Sequence, residues 1–144
     1  MSASTHPPSI RDFEAPKLEA IIEVMFLAAF ADGDFGEEER VHFLHSIESL
    51  TDRHIEGETL GRLVSRIVKD LEAEGRAARL ASVKSRLVEP GARKAALGLA
   101  IQLTAADGII RTSERELILE AAEALEMDRD EAADLVTKLT PPAT

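Results

Sequence analysis

Apolar residues recur every three or four positions along most of the chain, which is the spacing that places them on one side of an α-helix. The first such stripe begins at Leu18 and ends at Ala29, with Ile21, Ile22, Met25 and Phe26 between them. Strand-like alternation is nearly absent, and residues that favour helices dominate. The pattern therefore predicts an all-α fold, a compact bundle of about seven helices.

Glycines and prolines divide the chain into these predicted helices. The first helix ends near Ala31, where Gly33 supplies the left-handed residue that helix ends favour. Further breaks fall at Gly75, at Pro90-Gly91 and at Pro141-Pro142. No heptad pattern persists, so the helices form a bundle rather than a coiled coil. After the first helix we expect helices at about 37–50, 56–74, 76–88, 92–106, 113–125 and 129–139.

The chain contains an internal repeat. Residues 20–50 align without a gap with residues 95–125, and nine of the 31 positions are identical, where chance gives about two. The shared residues include the Ala-Asp-Gly sequences at 31–33 and 106–108. We therefore predict two helix-turn-helix units related by a pseudo-twofold axis, which brings their Asp-Gly turns into neighbouring places.

The predicted organisation is a single helical domain over residues 16–140, with repeat halves at about 16–74 and 91–139. We expect a flexible N-terminal tail at 1–15 and a short tail at 141–144. A chain of 144 residues with 44% hydrophobic residues is long enough to bury one core.

Charge and cysteine content exclude several classes of function. The chain carries 17 basic and 27 acidic residues, a net charge of −10, which disfavours nucleic acid as a partner. It has no cysteine, so thiolate metal sites and thiol catalysis are excluded and any metal must be held by oxygen or imidazole. No signal peptide or transmembrane segment is legible, and we expect a cytoplasmic protein.

Each predicted Asp-Gly turn carries an aspartate and, seven residues later, a glutamate: Asp32 with Glu39, and Asp107 with Glu114. An aspartate at a helix C-terminus opposes the helix dipole at a cost of roughly 0.3–1 kcal/mol, so a compensating group is expected. Asp34 adds a third carboxylate to the first turn. Because hard divalent cations prefer oxygen ligands, we predict that these five side chains hold a divalent metal ion.

A structural alternative explains the glutamates equally well. Glu39 follows Gly36 by three residues, so it can reach back to satisfy an amide at the start of its own helix. Gly33 and Gly108 are then ordinary helix caps, and the apolar residues Phe35 and Ile110 plug the crevice between helices.

The second turn departs from the first at its helix start. Arg111 stands at the position equivalent to Gly36, where a small or hydroxyl residue is usual. We therefore expect Thr112 or Ser113 to cap the helix, with Ser113 and Glu116 forming a capping box.

The sequence does not support two more specific kinds of metal site. The first turn begins like an EF-hand loop, but Glu37 occupies the position that needs glycine and Phe43 the one that needs a bidentate glutamate. His42 and His45 are three residues apart on one helix face, yet two ligands without a fixed third are more typical of a solvated surface.

The pattern Ala-Asp-Gly-x-φ-x-x-x-Glu, with φ apolar, occurs at residues 31–39 and again at 106–114. This pair of motifs resembles the tellurite-resistance protein B (TerB-like) family. Residues 125–132 are similar to the short link and last helix of that family, and the resemblance covers roughly residues 18–139.

The resemblance implies a small all-helical domain with an internal duplication and no established catalytic activity. It also implies an acidic metal-binding role in bacterial tellurite resistance and stress response, with some partners in membranes. The family's acidic positions fall on Asp32, Glu39, Asp107 and Glu114. Consistently, the residues themselves offer no glycine-rich phosphate loop and no oriented nucleophile, so we do not expect an enzyme.

The competing hypothesis is a metal-free helical adaptor that binds protein partners, in some settings at the membrane surface. Its basis is a central segment, residues 62–94, with a net charge of +5 inside an acidic chain. Such a segment either docks on an acidic surface or forms local ion pairs. Its basic residues are Arg62, Arg66, Lys69, Arg76, Arg79, Lys84, Arg86, Arg93 and Lys94.

Overall fold

The computed structural model describes residues 15–31, 33, 36–51, 53, 55–105 and 111–139, and of residues 15 and 139 only the backbone. The described residues form seven helices and no strand, which confirms the predicted all-α fold. The helices are α1 (Ala15–Ala29), α2 (Glu37–Leu50), α3 (Gly57–Glu74), α4 (Arg76–Arg86), α5 (Pro90–Thr104), α6 (Thr112–Ala124) and α7 (Arg129–Leu139).

Helix α1 is the centre of the bundle. It packs against α2, α3, α4, α5 and α6, and α5 is its most extensive neighbour. The residues between those of the predicted stripe, Ala20, Val24, Leu27 and Ala28, are also buried. Every one of residues 20–28 is buried, so this part of α1 is a core helix and the single stripe underestimated how much of it is enclosed.

Helix α5 fits closely into this arrangement because it buries small side chains at regular intervals. Ala92, Ala96 and Ala100 are four residues apart and each is at most 1% exposed. Side-chain size at a helix contact sets the distance between the helix axes, so alanines at this spacing allow close packing.

Helix ends follow the predicted glycine and proline positions with small differences. Helix α1 ends at Ala29, and Gly33 adopts φ +84° and donates its amide to Phe30 O at 2.9 Å, which confirms its role at this helix end. Helix α5 begins at Pro90 rather than near residue 92, because proline fits the first helical position, whose amide has no partner within the helix.

The two predicted helix-turn-helix units have matching helix bounds. A shift of 75 residues carries the bounds of α1 onto those of α5, and the start of α2 onto the start of α6. The duplication and its pseudo-twofold axis stay predictions, and so do the domain limits. The predicted tails lie almost wholly outside the described residues.

Candidate functional site

The ends of four helices converge on a groove of about 420 Å³. These helix ends flank both Asp-Gly turns, the first between α1 and α2 and the second between α5 and α6. The described parts of the two motifs therefore meet at one place on the surface. The described lining residues are Ala29, Phe30, Glu38, Glu39, His42, Phe43, Leu103, Thr104, Arg111 and Glu114.

The floor of the groove is apolar and well packed. Phe30 and Phe43 lie with their ring centroids 5.5 Å apart, and both rings contact Phe26, at 4.8 and 5.6 Å respectively. Phe43 is 2% exposed and belongs to the core, while Phe30 and the neighbouring Leu103 are half-buried. Tilted and edge-to-face rings at these distances attract one another, so the floor is a fixed surface.

Glu39 lies on the rim of the groove, in the first turn of α2. Its carboxylate is folded back over Gly36, and a Cβ atom on Gly36 would lie 2.6 Å from Glu39 Oε2. Glycine at position 36 thus leaves the space that this conformation needs. The orientation is the one that the structural alternative requires, and it leaves the exposed carboxylate beside the groove.

Glu114 occupies the equivalent place in α6, and here the prediction of a Ser113–Glu116 capping box is wrong. Arg111 is the N-cap residue, and its backbone amide donates to Glu114 Oε1 at 2.8 Å. The extended backbone of an N-cap is accessible to any residue, so arginine takes the position. Its guanidinium has no acceptor oxygen, and only the glutamate half of the box forms.

The predicted aspartate ligands Asp32, Asp34 and Asp107 lie outside the described residues, as do Phe35, Gly108 and Ile110. Within the described residues, no three histidine or carboxylate side chains are arranged to hold a metal ion. Of the five predicted ligands, the structure therefore places Glu39 and Glu114, and it places both on the same groove.

The histidine pair is exposed on α2, as expected for surface residues. His42 lines the groove beside Glu38, and it also borders the adjoining outer face of the helix together with His45, Glu37 and Val41. The two histidines therefore share this outer face, and only His42 also reaches the groove.

Most basic side chains of the central segment form ion pairs with other residues of the same chain. Within the described residues, ion pairs engage every basic side chain of the segment except Arg62 and Lys69. This supports the explanation that the segment forms local ion pairs. The pairs are Arg66–Glu19, Arg76–Glu120, Arg79–Glu23, Lys84–Glu126, Arg86–Glu23, Arg93–Glu126 and Lys94–Glu131.

The most enclosed of these ion pairs centres on Glu23 of α1, which is 1% exposed. Arg79 binds its carboxylate with two hydrogen bonds, from Nε at 2.6 Å and from Nη2 at 2.9 Å, and Arg86 adds a third at 2.6 Å. The hydrogen bond to Glu23 raises the pKa of Arg79 above its usual value, so this arginine stays charged. The sequence feature that indicates this buried ion pair is Glu23 itself, a lone glutamate within the apolar residues 21–31.

No described helix is long and apolar enough to cross a membrane. The described residues thus define an all-helical fold in which Glu39 and Glu114, the last residues of the two sequence motifs, line one groove with an acidic rim. The family model of tellurite resistance protein TerB matches residues 18–136, which is most of the chain, and the chain belongs to that family. Searches of the curated proteins and of the solved structures each returned no match.

Proposed function

We propose that this TerB-family chain is a non-catalytic module that binds a divalent cation where its two Asp-Gly turns adjoin the groove. Asp32 and Asp107 are the principal ligands in this proposal, Glu39 and Glu114 are their partners, and Asp34 is a further oxygen donor. The observation that carries it is that Glu39 and Glu114, 75 residues apart in sequence, line the same groove.

The donor set suits a hard cation. Carboxylate oxygens are the ligands that Ca²⁺, Mg²⁺ and Mn²⁺ prefer. Capping does not use up Glu114, because a carboxylate has two oxygens with about four lone-pair sites and the amide of Arg111 occupies one of them. A glutamate can therefore cap its helix and still contribute an oxygen to a bound ion.

Family membership motivates the biological setting that we propose, which is tellurite resistance or a general stress response in the cytoplasm. In this setting the module acts by binding, and none of its side chains is assigned a role in breaking or forming covalent bonds.

The test is calorimetry with calcium, magnesium, manganese and zinc, one at a time. We expect the wild-type chain to bind at least one of them with a dissociation constant below about 1 mM, the weak end for oxygen-ligand sites. The double variant Asp32→Asn with Asp107→Asn should bind it at least tenfold more weakly, because two anionic ligands are lost.

A matched control removes two negative charges elsewhere. Glu72 and Glu123 are exposed on α3 and α6, away from the groove lining, and Glu72→Gln with Glu123→Gln should leave the affinity within about twofold. No uptake below about 1 mM, or equal uptake by the wild-type chain and the double asparagine variant, contradicts the proposal.

A further inference from the structure

We infer that the groove also binds a basic, amphipathic segment of a partner protein. An apolar side chain of that segment packs on the floor formed by Phe30, Phe43 and Leu103, and flanking lysines or arginines pair with Glu38 and Glu39 on the rim. This inference goes beyond the cation proposal and does not depend on it.

The groove is larger than a hydrated cation, and its floor is apolar, which a cation does not require. A cation with six waters fills about 200 Å³, at roughly 30 Å³ per water. The groove measures about 420 Å³, and its floor is aromatic and aliphatic. Concave sites of this size with an apolar floor and a few polar groups on the rim are typical of organic ligands and inserted side chains.

The negative charge of the rim favours a positively charged partner. Glu38 and Glu39 are exposed at the start of α2, and the half-exposed Glu114 lies at the start of α6. Among the described lining residues, Arg111 is the only arginine or lysine, so these residues carry a net charge of −2 when histidine is left out of the count. Acidic partners are repelled, and basic ones are attracted and oriented.

The carboxylates of the rim belong to two helices, which suits a basic polypeptide. Glu38 and Glu39 belong to α2, whereas Glu114 belongs to α6. Pairing with carboxylates of two helices above an apolar floor requires long cationic side chains carried by one molecule. Lysine and arginine side chains meet this need, because their aliphatic stems lie along an apolar floor while their charged ends reach the rim.

The probe is a fluorescein-labelled helical peptide of leucines and lysines, measured by fluorescence anisotropy in 150 mM salt with EDTA. A matched peptide has every leucine replaced by serine and keeps the same charge. We expect the leucine peptide to bind at least tenfold more tightly, because only it can use the apolar floor.

Two charge reversals in the same helical turn locate the contact. Glu38 lines the groove and Glu37 does not, although both are exposed in the first turn of α2. We expect Glu38→Lys to weaken binding of the leucine peptide at least tenfold and Glu37→Lys to weaken it less than threefold, since Glu37 does not line the groove in which the peptide binds.

Equal affinity for the two peptides, or equal effects of the two reversals, overturns the inference. The inference is also overturned if the leucine peptide binds the Phe35→Ala variant but not the wild-type chain. In that case the groove is occupied by the chain's own phenylalanine. EDTA keeps the measurement independent of cations, so the failure of this inference and the failure of the cation proposal are separate results.

Discussion

Replacement of Arg79 by methionine is expected to lower the free energy of unfolding by about 3 kcal/mol, measured by urea denaturation. The loss is large because Glu23 is 1% exposed and Arg79 supplies two of its hydrogen bonds. A buried carboxylate that loses its main partner retains the cost of its own dehydration. Arg86 still binds Glu23, which keeps the loss at the lower end of the range for broken buried pairs.

Arg76→Met is the matched control for this prediction. Arg76 lies on the same helix and also pairs with a glutamate, Glu120, but both side chains are more than 40% exposed. Exposed pairs contribute little, so we expect a loss below about 1 kcal/mol. If the two variants lose similar free energies of unfolding, burial of Glu23 does not increase the contribution of its ion pair to stability.

The double variant Glu23→Leu with Arg79→Met distinguishes two effects: the loss of the ion pair, and the cost of leaving the buried carboxylate without its main partner. It removes the buried carboxylate together with its main partner, and such replacements are often neutral or stabilising. We therefore expect it to be more stable than Arg79→Met alone. A double variant that is less stable would show that the cost of the single change does not come from an unpaired buried charge.

Replacement of Arg93 by methionine is expected to lower the free energy of unfolding by about 2 kcal/mol, measured in the same way. The guanidinium donates to three backbone carbonyls, those of Lys84, Leu87 and Leu125. These carbonyls lie at the C-terminal ends of α4 and α6, where the carbonyl oxygens lack amide donors within their own helices and carry partial negative charge. One side chain therefore joins the ends of two helices to α5.

The neighbouring residue supplies the control. Lys94 is also basic and on α5, but its side chain is 56% exposed and lies 3.8 Å from Glu131. We expect Lys94→Met to change stability by less than about 1 kcal/mol. If both variants cost the same, the three carbonyl contacts of Arg93 contribute nothing beyond an ordinary surface charge.

Local signals in the sequence predicted most of the helix bounds. Gly75 ends α3 as predicted, the Pro90-Gly91 break separates α4 from α5 although α5 begins at Pro90 itself, and the apolar spacing locates the segments between these breaks. These features work because backbone conformation at glycine and proline depends on the residue itself. The enclosure of α1 was not predicted, because its own residue Glu23 is charged, and a charged residue is expected to be exposed unless its partner is known.

That partner, Arg79, is 56 residues away in the sequence. Pairs so far apart depend on how the helices pack, which the spacing of apolar residues does not reveal. The capping of α6 failed for a different reason. Residue preference favoured Ser113, but the backbone places the N-cap at Arg111, and Glu114 supplies the oxygen.

Of the candidate site, the sequence predicted that the two turns are neighbours, and the described ends of both motifs do line one groove. The repeat made this possible, because equivalent turns in paired units tend to adjoin. The apolar floor was not predicted, since Phe30 follows the last residue of α1 while Phe43 and Leu103 lie on α2 and α5, and no single spacing pattern links the three. Ligation by Asp32, Asp34 and Asp107 stays a prediction.

Crystals of the chain soaked in manganese test the central claim most directly, because Mn²⁺ prefers oxygen ligands and gives an anomalous signal that locates it. We predict a peak at the groove within about 2.0–2.6 Å of an oxygen of Asp32 or Asp107, with Glu39 or Glu114 as a second ligand. Crystals that take up manganese only at other carboxylates, or show no peak at about 1 mM, would contradict a cation site built from the two turns.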